Sequence, residues 1–274
     1  MLDSVAIIGG DRRQKYLSEL FLRGGTVVYT ALNDLCGGGD LAAALAAGNI
    51  ILPVPLSRDG VHLNAACTAQ QLELDCLFSM LPRGKRLFGL PADKASGLGC
   101  SGYDYAARSD FALANALPTA EGAISMAVNA SDGVICRSRC LIVGYGRIGK
   151  LLAVRLDGLG AFVTIACRSA TDRAVAGSFG FDVIDSSALD EYDFDYDYVF
   201  NTVPVRLLEP VADRMAGSVL IELASAPYGM SSAAAEEAGI KLCLGTGLPG
   251  KTAPKYAAEV IYATIHSIIA EECL

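Results

Sequence analysis

The sequence has no Trp and only two His, His62 and His266, among its 274 residues. Two His cannot supply a His-rich metal centre, and the nine Cys do not make up the deficit. No C-x-x-C occurs. The tightest pair, Cys136 and Cys140, is separated by three residues, so a structural zinc site is not expected. Dispersed Cys, with no basic leader ahead of an apolar segment, point to a reducing cytoplasm. Positive charge is also scarce: 22 Lys and Arg stand against 30 Asp and Glu, for a net charge of −8. Without a basic face, nucleic acid is not an expected partner. No apolar run reaches membrane-spanning length without a Gly or polar break, so no membrane association is expected either. The acidic stretch 190–197 reads as a solvated loop leading into a strand.

What is present is abundant Gly and Ala in a chain that is 52% hydrophobic and long enough for two α/β domains. Strands are expected at 5–8, 26–29, 49–54 and 87–89, alternating with helices such as 11–22 and 40–47. A second series places strands at 140–143, 162–166, 199–201 and 219–222, with a weaker fifth at 241–244. Strands alternating with helices predict parallel sheets. Residues 109–130 read as helical but broken at Pro118, with Pro118-Thr119-Ala120-Glu121 as a helix start and Thr119 near its cap. The last helix, 253–270, is expected to return to the first domain. The expected fold is therefore α/β, with two Rossmann-like doubly wound parallel-sheet domains. Residues 1–118 with 252–274 form an N-terminal flavodoxin- or Rossmann-like domain, and 119–251 form an NADP-binding Rossmann domain. The interdomain cleft is the default ligand site.

G-x-G-x-x-G is weak by itself, and here it occurs twice. Gly97, Gly99 and Gly102 match without a preceding strand, which reads as a loop. The copy Gly144-Tyr145-Gly146-Arg147-Ile148-Gly149 follows the apolar run Leu141-Ile142-Val143 and opens a helical pattern. There Gly144 permits the tight turn, Gly146 lets the backbone approach a pyrophosphate, and Gly149 lets the helix pack on its strand. The helix N-terminus would then face the phosphates. At the end of the next strand, NAD sites usually carry an acid for the ribose 2′-hydroxyl. This chain has Cys167-Arg168-Ser169 instead. Arg168 can pair with a 2′-phosphate and Ser169 can donate to it, so NADP is expected over NAD, with NAD left open. Asn201-Thr202-Val203-Pro204 ends another strand, at the edge that borders the nicotinamide ribose in Rossmann dehydrogenases.

Several segments together resemble the family of dipicolinate synthase A subunits. They are 9–14 (GGDRRQ), 52–60 (LPVPLSRDG), 115–123 (NALPTAEGA), 143–149 (VGYGRIG), 200–204 (FNTVP), 222–227 (ELASAP) and 247–255 (GLPGKTAPK). They span nearly the whole chain, and the proline-bearing ones are the specific ones. Ala226 departs from the family, where a Lys is expected. The resemblance implies NADP-dependent oxidation of a dihydrodipicolinate, formed from 4-hydroxy-tetrahydrodipicolinate, to dipicolinate during sporulation. It implies a flavoprotein-like partner, the B subunit of dipicolinate synthase, and a cytoplasmic location in the mother cell. A homo-oligomer is left open.

Aromatising a dihydropyridine dicarboxylate removes a hydride and a proton, and two carboxylates need cationic partners. Arg12 and Arg13 follow the first strand, Ser57 follows the third, and Thr119 and Glu121 sit on the linking helix. Lys251 and Arg13 are the expected carboxylate ligands. Glu121 is a candidate base, though it could equally cap its helix or pair with Lys251. Two other readings stay open: a non-catalytic NADP-binding regulatory subunit, and a dehydrogenase of the 2-hydroxyacid type. The latter needs a His with an acid partner, and neither His62 nor His266 falls where that family places it.

Overall fold

Short β-branched runs and glycine turns build two parallel sheets. The computed structural model describes residues 2–273. The chain opens with β1 (Ser4–Ile8), buried from its second residue on. It continues through α1 (Arg12–Arg23), β2 (Val27–Ala31), α2 (Leu41–Ala46), β3 (Asn49–Ile51), α3 (Leu74–Met80), β4 (Arg86–Phe88), α4 (Ala92–Gly97) and β5 (Ser101–Tyr103). The five strands are all parallel in the order β2-β1-β3-β4-β5. That order reverses between β1 and β3, the switch point outside whose carboxyl ends such sheets hold ligands.

After α5 (Ser109–Ala130) come β6 (Arg139–Val143), α6 (Arg147–Gly158), β7 (Phe162–Ala166), α7 (Ala170–Ser178) and β8 (Asp182–Ile184). Then follow β9 (Tyr198–Asn201), β10 (Val219–Glu222), α8 (Ser232–Glu237), β11 (Lys241–Leu244), α9 (Leu248–Thr252) and α10 (Pro254–Glu271). The second sheet is also parallel, in the order β11-β10-β9-β6-β7-β8. Counted from β6, this is the Rossmann order 6-5-4-1-2-3, with its switch point between β6 and β9.

The chain divides into two compact units. One is Ala116–Leu248; the other joins the described residues up to Asn115 with those from Pro249 onward. The boundaries lie three residues before the expected 118/119 and 251/252. Expectation fails at Pro118, which starts no helix: α5 runs unbroken through it. A proline removes one N–H bond from a helix, yet α5 has packing partners on both sides of it. Phe111 belongs to one core, and Ala120, Ala123 and Ala127 to the other. Thr119 and Glu121 are therefore mid-helix residues, and neither caps an N-terminus. The Gly97 copy of the glycine pattern is not a loop either. Gly97 ends α4 and Gly102 lies within β5.

The C-terminal helix does return to the first unit. Ala258, Ile261, Ile265 and Ile269 of α10 join Leu17 and Phe21 of α1 and Val5 and Ile7 of β1 in one core. Each Val, Leu, Ile or Phe among them contributes about 1.5–3 kcal/mol when fully buried. No helix among the described residues is long and apolar enough to cross a membrane.

Candidate functional site

The three glycines after β6 can be tested by what a Cβ would meet. At Gly144, with φ +100°, it would lie 2.3 Å from the Thr202 hydroxyl and 2.7 Å from Val203. At Gly149 it would lie 2.1 Å from the Gly144 carbonyl oxygen. At Gly146 it would meet nothing within 4 Å. Two glycines are thus required by the protein's own packing, while the third faces open space, as a backbone that admits a pyrophosphate must. Gly146 is also the N-cap of α6 and gives it no side-chain hydrogen bond, which leaves first-turn N–H groups and the positive end of the helix dipole for an anion. Arg147 is exposed, Ile148 is half-buried, and Tyr145 is buried in the core beneath the loop. The matching turn in the first unit is closed. Asp11 caps α1 through the Arg13 N–H, and the Gln14 side chain accepts from the Asp11 N–H.

At the end of β7, Cys167 is buried and Arg168 is exposed. Arg173 holds this turn by donating to the Cys167 carbonyl at 2.8 Å and the Arg168 carbonyl at 2.7 Å, and it pairs with Asp185 at 3.0 Å. Arg168 has no ion-pair partner among the described residues. Ser169 is already in use as the α7 N-cap, accepting from the Asp172 N–H. Its hydroxyl proton remains available to donate.

The edge after β9 is more tightly built than its sequence indicates. Asn201 is fully buried, and its amide nitrogen donates to the Val203 carbonyl and to both oxygens of Glu222, at 2.8 and 3.0 Å. Glu222, at the end of β10 and 1% exposed, also accepts from the N–H groups of Ala224 and Gly229. Asn201 therefore shapes the loop from within and is not placed to touch a ligand. Thr202 is also internal, donating to the Val143 carbonyl at 2.8 Å. Of this segment, Val203 is half-buried and Pro204 exposed.

In the first unit the structure redistributes the expected cations. Arg13 is buried, bound to both oxygens of Asp11 at 2.8 and 2.9 Å and to the Val54 carbonyl. Burial pushes the Asp11 carboxyl up, but Arg13, with Arg58 behind it, outweighs burial and holds it below its ordinary value. Arg13 is thus committed to the fold, which corrects its expected role as a carboxylate ligand. A Cβ at Gly250 would lie 2.6 Å from Asp11 and 3.1 Å from Arg13. The segment carrying Lys251 therefore lies against the turn carrying Arg12, and both of these side chains are exposed. Ser57 donates to Asp59 and accepts from the Gly60 N–H, so it too braces its own loop.

Glu121 is exposed and pairs with Arg155, at 3.5 Å, near the C-terminal end of α6. Arg155 lies eight residues, roughly 12 Å of helix rise, from the end that opens at Gly146. This placement gives Glu121 a surface ion pair and removes the support for a base at that position.

Comparisons with known proteins bear on this geometry. The family model for the N-terminal domain of the dipicolinate synthase A subunit matches residues 4–94. The A subunit of Bacillus subtilis dipicolinate synthase is 36% identical over 166 residues, which is 60% of this chain and 56% of that relative. The alignment thus spans just over half the length of that relative. Its A-chain crystal structure superposes with a TM-score of 0.83 at 27% identity, over 99% of this chain and 97% of that one. The crystal structure of the Bacillus halodurans counterpart gives a TM-score of 0.86 at 25% identity, covering 98% of each chain.

The chain is thus similar to dipicolinate synthase A subunits, in sequence over part of its length and in fold over nearly all of it.

Beyond that family, Salmonella D-lactate dehydrogenase shares the fold, with a TM-score of 0.63 at 15% identity over 97% of this chain and 95% of that one. That likeness is one of fold. Two features of the chain were not visible in its sequence. Glu222 looked like a strand end, and only its pairing across to Asn201 shows the network. His62 lacked a visible acid partner because Asp59, three residues earlier, meets it only once the loop has folded.

Proposed function

We propose that this chain is the catalytic component of a dipicolinate synthase, oxidising a dihydropyridine-2,6-dicarboxylate to dipicolinate with NADP. The observation that carries the reading is the pair of edges in the second unit. An uncapped helix opens at Gly146, and an unpaired Arg168 stands where NAD enzymes have an acid. Gly144–Gly149 would hold the pyrophosphate, Arg168 and Ser169 the 2′-phosphate, and the loop 202–204 would border the nicotinamide ribose. The cofactor supplies a hydride acceptor. The chain's own residues bind and orient a dicarboxylate: Arg12 and Lys251 are exposed cations on adjoining segments of the first unit, and together they suit one of its carboxylates. The B subunit of dipicolinate synthase is the proposed partner, and the mother-cell cytoplasm the proposed location.

The test follows absorbance at the reduced-nicotinamide band. NADP and enzymatically generated 4-hydroxy-tetrahydrodipicolinate are added to this chain, with and without the partner. Growth of the band together with dipicolinate formation supports the reading. No signal under either condition, with NADP binding intact, would instead identify a non-catalytic cofactor-binding subunit.

A further inference from the structure

The oxidation needs a proton acceptor, and Glu121 does not provide one. The carboxyl edge of the first sheet offers another group. The segment after β3 folds back against the β1 turn: Gly10 pairs with Ala65, and its N–H donates to the Asn64 carbonyl at 2.6 Å. Beside that pairing is a cavity of about 380 Å³ lined by Arg58, Asp59, His62, Asn64, Thr68 and Gln70, among others. This volume lies within the range of small-molecule sites.

Within it, the two oxygens of Asp59 have separate tasks. Oδ1 accepts from the Ser57 hydroxyl at 3.0 Å and from the N–H groups of Val61 and His62 at 2.9 and 2.8 Å. That oxygen alone closes the turn. Oδ2 is left to the His62 ring, at 2.7 Å from Nδ1. The backbone N–H of His62, then its ring, hold the Asp59 carboxyl well below the usual carboxylate range. A carboxylate on Nδ1 fixes the proton there and leaves the Nε2 lone pair free, which is the tautomer a base requires. Nε2 has no hydrogen-bond partner among the described residues, and the side chain is about one-third exposed. Arg58 supplies a cation on the same wall.

We propose that His62, oriented by Asp59, takes the proton from the substrate ring, and that Arg58 meets a substrate carboxylate in this cavity. The proposal rests on the oxidation put forward above. The cofactor, when bound, would accept as hydride the hydrogen of one ring C–H bond. The second hydrogen leaves as a proton to His62 Nε2, and its electron pair completes the aromatic pyridine. The resulting imidazolium lies against Asp59 and returns its proton to water. His62 is then a catalytic residue and Asp59 a positioning residue.

The chain has only two His, so diethyl pyrocarbonate with mass-spectrometric readout reports on each one, with His266 as internal control. Dipicolinate itself is the probe. It should slow modification of His62 severalfold and leave His266 unchanged. His62→Gln should lower kcat about 100-fold or more with NADP affinity intact. Asp59→Asn keeps the Oδ1 acceptor of the turn but presents an N–H₂ group to Nδ1, which forces the proton onto Nε2. It should lower kcat comparably while dipicolinate affinity stays within about twofold, a split that mere loosening of the loop would not give. If dipicolinate leaves His62 modification unchanged, or His62→Gln retains turnover, the proposal is overturned. A wild-type chain with no turnover but with His62 protected would overturn the oxidation reading and keep the cavity as a dicarboxylate site.

Discussion

Glu222→Gln isolates the buried network that joins the loops after β9 and β10. The wild-type carboxylate, 1% exposed, accepts from Asn201 through both oxygens, from the Ala224 N–H through Oε1 and from the Gly229 N–H through Oε2. This set of neighbours suits a group with two acceptors and no donor. Gln keeps one oxygen and turns an N–H₂ toward a backbone N–H that has no other partner. Leaving one buried donor unsatisfied costs about 1–3 kcal/mol, and the remaining bonds lose their charge assistance, so a loss of about 2–4 kcal/mol is expected. Relief of a buried charge works the other way, but three N–H groups already replace most of the carboxylate's water shell. With no Trp in the chain, far-UV circular dichroism in urea is the suitable probe. Glu237→Gln, on the exposed face of α8, serves as control and should stay within about 0.5 kcal/mol. NADP affinity should fall in the Glu222 variant, because the loops after β9 and β10 share this one carboxylate. A change below about 0.5 kcal/mol with unchanged NADP affinity would refute the reasoning.

Arg168→Ala should weaken NADP at least tenfold by calorimetry and leave NAD nearly unchanged, since a charge-assisted contact is worth about 1.5–3 kcal/mol; equal losses would remove Arg168 from the 2′-phosphate site. Lys251→Ala should raise KM for the dicarboxylate far more than it changes NADP affinity, and parallel effects on both would sink that assignment. Asp11→Asn leaves Arg13 buried with half its partner and should cost about 3 kcal/mol. The folded Asp11 pKa lies below its ordinary 3.8, so its stabilisation is complete above that value and is lost as pH falls through the folded pKa. The variant should therefore show a flatter acid limb when unfolding midpoints are measured from pH 6 to pH 2.5.

The architecture was legible because its evidence is local. Leu141-Ile142-Val143 before Gly144 announces a buried strand, a turn and a helix within a dozen residues. Two three-residue edge strands were not legible. β5, Ser-Gly-Tyr, and β8, Asp-Val-Ile, carry too little apolar pattern and owe their state to the neighbour they pair with. Pro118 misled because the rule against interior proline describes a helix without tertiary support, and α5 has that support on either side of it. The glycine turn after β6 could be read directly, since its glycines answer to backbone geometry. Arg13, Ser57 and Asn201 could not be read so. Each has the right chemistry for a ligand, but a partner brought in by folding uses it first: Asp11 and Val54, Asp59, and Glu222 respectively.

The return of α10 to the first unit also sets an order of events. Ala116–Leu248 is contiguous, and all of it leaves the ribosome while Pro249 onward is still to come. The other unit lacks six buried apolar residues of its core until α10 emerges. The Rossmann unit can therefore mature during synthesis, while the unit that emerged first waits for the last helix. Until then, the apolar face of α1 is open to water, to proteases and to other unfinished chains. A ribosome stalled late in this message would hold a finished Rossmann unit tethered to an unfinished neighbour.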